Sequence, residues 1–128
     1  MNTISGKQGE DFACEYLQKL GCKIICKNYH SRYGEIDIIA SDGEYLAFVE
    51  VKTRNLRSKA APREYVTKTK QGRIIKTALI YLQSHDHDLQ PRFDVIEITT
   101  DNDADHFTVI DVNRIKNAFY LNWGYSPI

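Results

Sequence analysis

Two β-rich runs that face each other across an Asp-Gly pair constrain this chain more than any other feature. Glu35-Ile36-Asp37-Ile38-Ile39-Ala40 precedes the turn Ser41-Asp42-Gly43-Glu44, and the run from Tyr45 to Thr53 follows it. Asp-Gly between such runs specifies a tight hairpin. A hairpin of that kind pairs residues whose numbers add to an odd value. Asp37 and Glu50 then fall on one face, directly opposite or diagonal, and Glu35 falls on it too. Side chains alternate along a strand, so Glu50 and Lys52 share a face while Val49 and Val51 take the other. An acid and a base thus enter a strand that otherwise reads as interior, where an unpaired charge is costly.

Carboxylates that converge repel one another unless something positive stands between them. A hard divalent cation with oxygen ligands meets that need, and Mg²⁺ typically takes one or two carboxylates, water and substrate phosphate. Phosphodiester hydrolysis uses the same parts, with a lysine to orient water or to stabilise developing negative charge. An acid and a lysine two apart on a strand also occur as a surface ion pair worth about 0–1 kcal/mol. The apolar surroundings of Glu50 and Lys52, and Asp37 across the hairpin, favour the metal reading.

The rest of the chain frames this hairpin. Residues 5–20 read as a helix with Ser5 and Gln8 as a capping box, an apolar face of Phe12, Ala13, Tyr16, Leu17 and Leu20, and Gly21 at the C-terminal cap. Gly6 and Gly9 lie near that face, allowing close approach to other backbone, and Glu10 lies at its margin. Residues 22–27 read as a strand and 28–33 as a polar turn. After the hairpin, residues 56–61 read as a basic loop. Residues 67–83 read as a helix with Ile74, Ile75, Ala78, Leu79 and Leu82 on its apolar face. Residues 93–99 and 106–112 read as strands, 113–121 as a short closing helix, and 122–128 as an undecided tail. The order implies one compact α/β domain over residues 1–128, with helices around a mixed sheet. The strand after the second helix is expected to lie parallel to an earlier one through a right-handed crossover.

Net charge is zero, yet nine of the 17 basic residues fall between Lys52 and Lys76, where Glu64 is the single acid. Such a segment can hold a polyanion locally even in a neutral protein, though a solvated helix face would look alike. No apolar run reaches the length needed to span a bilayer, and the N-terminal residues form no secretory signal, so a cytoplasmic location is expected. Cys14, Cys22 and Cys26 form no CxxC pair, which fits reduced, buried thiols.

Taken together, Gly6-x-x-Gly9-Glu10-x-x-Ala13 with Tyr16-Leu17, Gly34 through Ala40, Phe48-Val49-Glu50-Val51-Lys52-x-Arg54, Pro62-Arg63-Glu64 leading to Lys70, and Phe93-Asp94-Val95-Ile96 resemble the YraN family of bacterial proteins. That family is similar to archaeal Holliday-junction resolvases and to the restriction-endonuclease-like PD-(D/E)XK proteins. The resemblance covers the chain up to about residue 111. It implies a restriction-endonuclease-like mixed β-sheet flanked by helices. It also implies a nuclease acting on DNA with Mg²⁺ or Mn²⁺, or a non-catalytic nucleic-acid-binding module with the same fold. By this resemblance Asp37 and Glu50 match the metal-binding acids, the Val51 carbonyl matches a backbone ligand, and Lys52 matches the catalytic lysine. Glu10 matches a helix glutamate beside the metal, although an acid there also suits the helix dipole. Arg54, Arg63 and Lys70 would contact phosphates. The family often carries arginine where this chain has His30, which removes one expected backbone contact. Glu35 is common in the family without an assigned metal role. Cutting two strands symmetrically would suit a homodimer.

Other candidates are weaker. His85-Asp86-His87-Asp88 has metal-ligand chemistry but reads as a solvated loop. Tyr45, Tyr65 and Tyr81 could stack on bases or sit in the core, and Trp123 and Tyr125 could dock on the domain or on a second subunit.

Overall fold

The expected hairpin forms, with Gly43 (φ +62°) and Glu44 at its tip between β2 (Gly34–Asp42) and β3 (Tyr45–Asn55). Only the first central residue takes positive φ, as in type II′ turns, and glycine accepts it without a Cβ penalty. Pairs run from Asp42↔Tyr45 to Ile38↔Val49, every sum being odd. The computed structural model describes residues 3–57 and 66–120, with side chains from residue 6 onward. Arg63, Tyr65, Trp123, Tyr125 and most of the expected basic loop lie outside the described residues.

Helix α1 (Thr3–Lys19) begins two residues before Ser5, which therefore falls inside the first turn and not at the N-cap position. Its C-terminus ends as expected at Gly21 (φ +96°). Gly21 N–H donates to the Gln18 carbonyl and Cys22 N–H to the Leu17 carbonyl, each at 3.0 Å, in the paired pattern of a Schellman cap. Leu20, expected on the apolar face, is instead 53% exposed beside this cap. Strand β1 (Lys23–Ser31) runs four residues past its expected end and pairs antiparallel with β2. Helix α2 (Lys68–Ser84) starts at Thr67, whose side chain caps Lys70 N–H. Ile74 and Ala78 are buried as expected, but Thr77 and Tyr81 complete the buried face. Strand β4 (Gln90–Thr100) follows and lies parallel to β3 across α2, as the crossover required.

The chain's last described element overturns an expectation. Residues 113–119 are not a helix; they continue β5 (Val109–Phe119), which pairs antiparallel with β4. Two forces outweigh the local helical pattern. The outer edge of β4 carries backbone donors and acceptors that need partners. In addition, Arg114 reaches the half-buried Asp42 and the buried Asp94, at 2.8 and 3.6 Å. The strand bends at Asn117 (φ +57°), whose N–H is taken by Asp94 Oδ1 at 2.9 Å.

The sheet order is β1-β2-β3-β4-β5. On one side Ala13, Cys14 and Leu17 of α1 pack on Ile38, Ala40, Ala47, Val49, Ile96 and Ile98. On the other Ile74, Ala78 and Tyr81 of α2 pack on Leu46, Phe48, Phe93 and Val95. No described helix is long and apolar enough to cross a membrane. Cys14 and Cys22 are buried free thiols, and Cys26 is a half-buried one.

Candidate metal centre

Strand alternation carries the site only as far as Ile38. Ile38 faces the α1 side, yet Ile36, two residues earlier, packs in the α2-side cluster. The side on which β2 buries its residues therefore changes at Asp37, between these two. Opposite it in β1, Asn28 takes a left-handed φ of +54°. The β2–β3 ladder also stops here: the next pair would be Asp37 with Glu50, and instead Val51 N–H donates to Asp37 Oδ2 at 2.8 Å. A carboxylate has replaced a backbone carbonyl as the partner of a strand amide.

At this switch three acids from α1 and β2 meet. Glu10, Glu35 and Asp37 each offer an oxygen, and these oxygens lie within 4.8 Å of one another. Glu10 comes so near because α1 approaches β3 at Gly9, where a Cβ would lie only 2.2 Å from Thr53 Oγ1. The Asn28 side-chain nitrogen, with the amide oriented to satisfy the carboxylates, donates to Glu35 Oε2 at 2.7 Å and to Glu10 Oε1 at 3.2 Å. Glu50 stands on the α2 side of β3, 5% exposed, and its Oε2 lies 2.6 Å from Lys70 Nζ. Asp37, Glu35, Glu50, Lys70, Arg73, Tyr33 and Thr67 are among the residues lining a cavity of about 460 Å³. Water occupies roughly 30 Å³ per molecule in the liquid, so this space accommodates a hydrated ion with a phosphate group.

Burial, reinforced by the Glu50 charge and more weakly by Glu10, pushes the Asp37 carboxyl up to about 8. Burial and the charge of Glu35 raise Glu10, which also shares a hydrogen bond with Asp37. Burial draws the Lys70 ammonium down, but the bond and charge of Glu50 outweigh it and leave Lys70 above its usual value. The raised carboxyls show that the centre has room for more positive charge than its lysine supplies. The donors are hard oxygens, the type Mg²⁺ and Mn²⁺ prefer. Ligands facing each other across Mg²⁺ are about 4.2 Å apart, twice its ligand distance, so oxygens within 4.8 Å need little contraction to reach one ion. The residues fit such a cation.

The expected residues are distributed as follows. Asp37, Glu50 and Lys70 line one cavity, and Glu10 joins Asp37 from the α1 side. Lys52 is half-buried two residues after Glu50, on the same side of β3. Arg54 is exposed near the end of β3, away from the cavity lining. His30 pairs with Glu35 at 3.3 Å. His85 stacks on Tyr81 with ring centres 4.0 Å apart, and His87 accepts from Leu89 N–H, so these two histidines have local partners. Tyr81 is a core residue, and Tyr45 lies under Arg92. Sequence reasoning passed over Tyr33 and gave Arg73 no specific role. Gly34 beside Tyr33, and the three-residue step from Lys70 to Arg73, were the available signals.

A mixed five-stranded sheet with a helix on each face, and an acidic centre where its middle strands part, defines a restriction-endonuclease-like α/β protein. The chain belongs to the uncharacterised protein family UPF0102, whose profile matches residues 9–98. A UPF0102 protein of Persephonella marina is 41% identical over 121 residues, covering 94% of this chain and 97% of the relative. Relatives from Chlorobium limicola (45% over 121 residues, 93% and 94% covered) and Rhodococcus opacus (47% over 119 residues, 92% and 98% covered) carry the same description. The family resemblance drawn from the motifs therefore stands.

Proposed function

We propose that this protein is a metal-dependent nuclease hydrolysing phosphodiester bonds in DNA, with branched DNA as a favoured form. The observation that carries the reading is the convergence of the Glu10, Glu35 and Asp37 carboxylates at the strand switch, where Asp37 opens to a cavity that also presents cations. Asp37 and Glu50 would hold Mg²⁺ or Mn²⁺. A residue in an extended strand aims its N–H and C=O toward the same neighbour. The Val51 N–H reaches Asp37, so its carbonyl is suited to complete the ligand set. When bound, the ion supplies charge at the phosphoryl oxygen and acidifies water. Lys52 would orient the attacking water, and Glu10, which shares a hydrogen bond with Asp37, would assist from the α1 side. Lys70, which pairs with Glu50, would contact substrate phosphate together with Arg54 and Arg63.

A cytosolic setting, where the three thiols stay reduced, belongs to this reading. The experiment is cleavage of flap, junction and duplex DNA with Mg²⁺, comparing wild type with Asp37→Ala and Lys52→Ala. Loss of cleavage in both variants is expected. Equal cleavage by wild type and variants refutes the assignment. Salt-dependent DNA binding without Mg²⁺ uptake or cleavage identifies the protein as a binding module instead.

A further inference from the structure

The cavity has a second wall, and it is built with care. The turn between β1 and β2 is seated on α2 by a chain of hydrogen bonds. Tyr33 N–H donates to Ser31 Oγ at 3.0 Å, Ser31 Oγ and Thr77 Oγ1 are 2.7 Å apart, and Thr77 Oγ1 donates to the Arg73 carbonyl at 2.9 Å. Thr77 is fully buried, so its hydroxyl at the middle of the chain is shielded from water. Gly34 (φ +155°) completes the seating: a Cβ there would meet the Arg73 side chain at 3.5 Å. The result fixes two sets of cations against each other.

Lys70, Arg73 and Lys76 follow at three-residue intervals on α2, so neighbours in this row lie side by side on the helix surface. Arg32 comes from the turn. The Tyr33 ring gathers the outer pair, with Arg32 Cζ 5.1 Å and Lys76 Nζ 5.2 Å from its centre, and Arg32 also donates to Tyr33 Oη at 3.1 Å. Tyr33, Lys70 and Arg73 line the cavity that holds Asp37 and Glu50, while Arg32, Arg73 and Lys76 are exposed. A row of cations thus begins at the acidic centre and leads outward.

We infer that this row is a phosphate track: the strand engaged at the Asp37–Glu50 centre leaves along α2, with its flanking phosphates held first by Arg73 and then by Lys76 with Arg32. Tyr33 is a positioning residue that holds the outer cations in place. The inference rests on the nuclease reading and adds to it the path and the mode of recognition. Contacts to phosphate oxygens carry no base information, so recognition along the track is independent of sequence.

The test is binding of fluorescein-labelled DNA duplexes to the full chain in EDTA, followed by anisotropy across a range of salt concentrations. Each phosphate contact contributes about 0.9 to the slope of log K against log salt on duplex DNA. Arg73→Gln with Lys76→Gln should therefore lower the slope by about 1.8, which is roughly 60-fold weaker binding at 0.1 M salt if the 1 M intercept is unchanged. Lys19→Gln with Lys23→Gln, which removes equal charge elsewhere, should leave the slope near wild type. Both results should repeat on a duplex of unrelated sequence. The same slope in the two double variants, or a loss confined to one sequence, overturns the track. Asp37→Ala separates the two readings: it should lose cleavage in Mg²⁺ and keep the wild-type salt slope in EDTA. If it cleaves normally the nuclease reading fails, while the slopes still decide the track.

Discussion

Asp37→Asn is expected to stabilise the metal-free protein, and to do so more as pH rises. The folded-state carboxyl stands at about 8 against an ordinary 3.8, because it is buried beside Glu50 and Glu10. A folded value above the unfolded one means that the contribution of the neutral carboxyl is intact below about pH 4 and is lost as pH climbs toward 8. One unit is worth about 1.4 kcal/mol, so the three units between pH 5 and pH 8 set a ceiling of about 4 kcal/mol. Relaxation and water entry through the open cavity bring this to about 2–3 kcal/mol. For a chain of this length each kcal/mol moves the melting temperature by about 3–5 °C, giving roughly 6–15 °C. Asparagine keeps an oxygen acceptor for Val51 N–H, so the sheet contact survives the substitution. Thermal melts in EDTA, read as variant minus wild type, cancel the other titrating groups. The difference should widen from pH 5 to pH 8, and Mg²⁺ should narrow it at pH 8 by stabilising wild type alone. A difference that stays flat with pH in EDTA would refute the account of why Asp37 is strained.

Three further outcomes follow from contacts elsewhere. Gly9→Ala forces a Cβ to 2.2 Å from Thr53 Oγ1 and should cost about 1–3 kcal/mol in urea unfolding; adding Thr53→Ala should recover most of it, and no recovery would mean that α1 is held off by something else. Arg92→Met leaves the fully buried Asp94 without its two closest side-chain bonds, at 2.8 Å each, and should cost about 3–5 kcal/mol, a loss measurable by the same unfolding experiment. Thr77→Val removes the hydroxyl between Ser31 and the Arg73 carbonyl and should cost about 1–2 kcal/mol, with faster amide exchange at Tyr33; unchanged exchange there would show that the turn needs no such anchor.

How far the sequence spoke depended on whether local chemistry or a distant partner decided each element. The Asp-Gly turn, the glycine at the end of α1 and the threonine at the start of α2 act within a few residues, and all three elements formed close to where they were expected. Odd-sum pairing was legible because turn length sets it, and it holds from Asp42 to Ile38. It does not continue through Asp37, because the Asn28 kink and the carboxylate contact to Val51 arise between strands. Residues 113–119 misled for a related reason: Ile115 and Phe119 are spaced for a helix, and only the edge of β4 makes them a strand. Glu35 converges with Asp37 as their shared face implies, and α1 adds Glu10 to complete the acid trio. Glu50 was expected beside Asp37 as a ligand and is found bonded to Lys70.

The sheet carries a second polar knot near the hairpin tip, and comparing the two is instructive. There Asp42 and Asp94 meet Arg92 and Arg114, two anions against two cations, with Lys116 at the margin at 3.9 Å. That knot balances its charges and fastens β2, β4 and β5 together. At Asp37 the same strand β2 enters a knot whose acids outnumber its cations. One strand thus links a charge-balanced knot to one that is not, and the rigid frame around the first also fixes the carboxylates of the second.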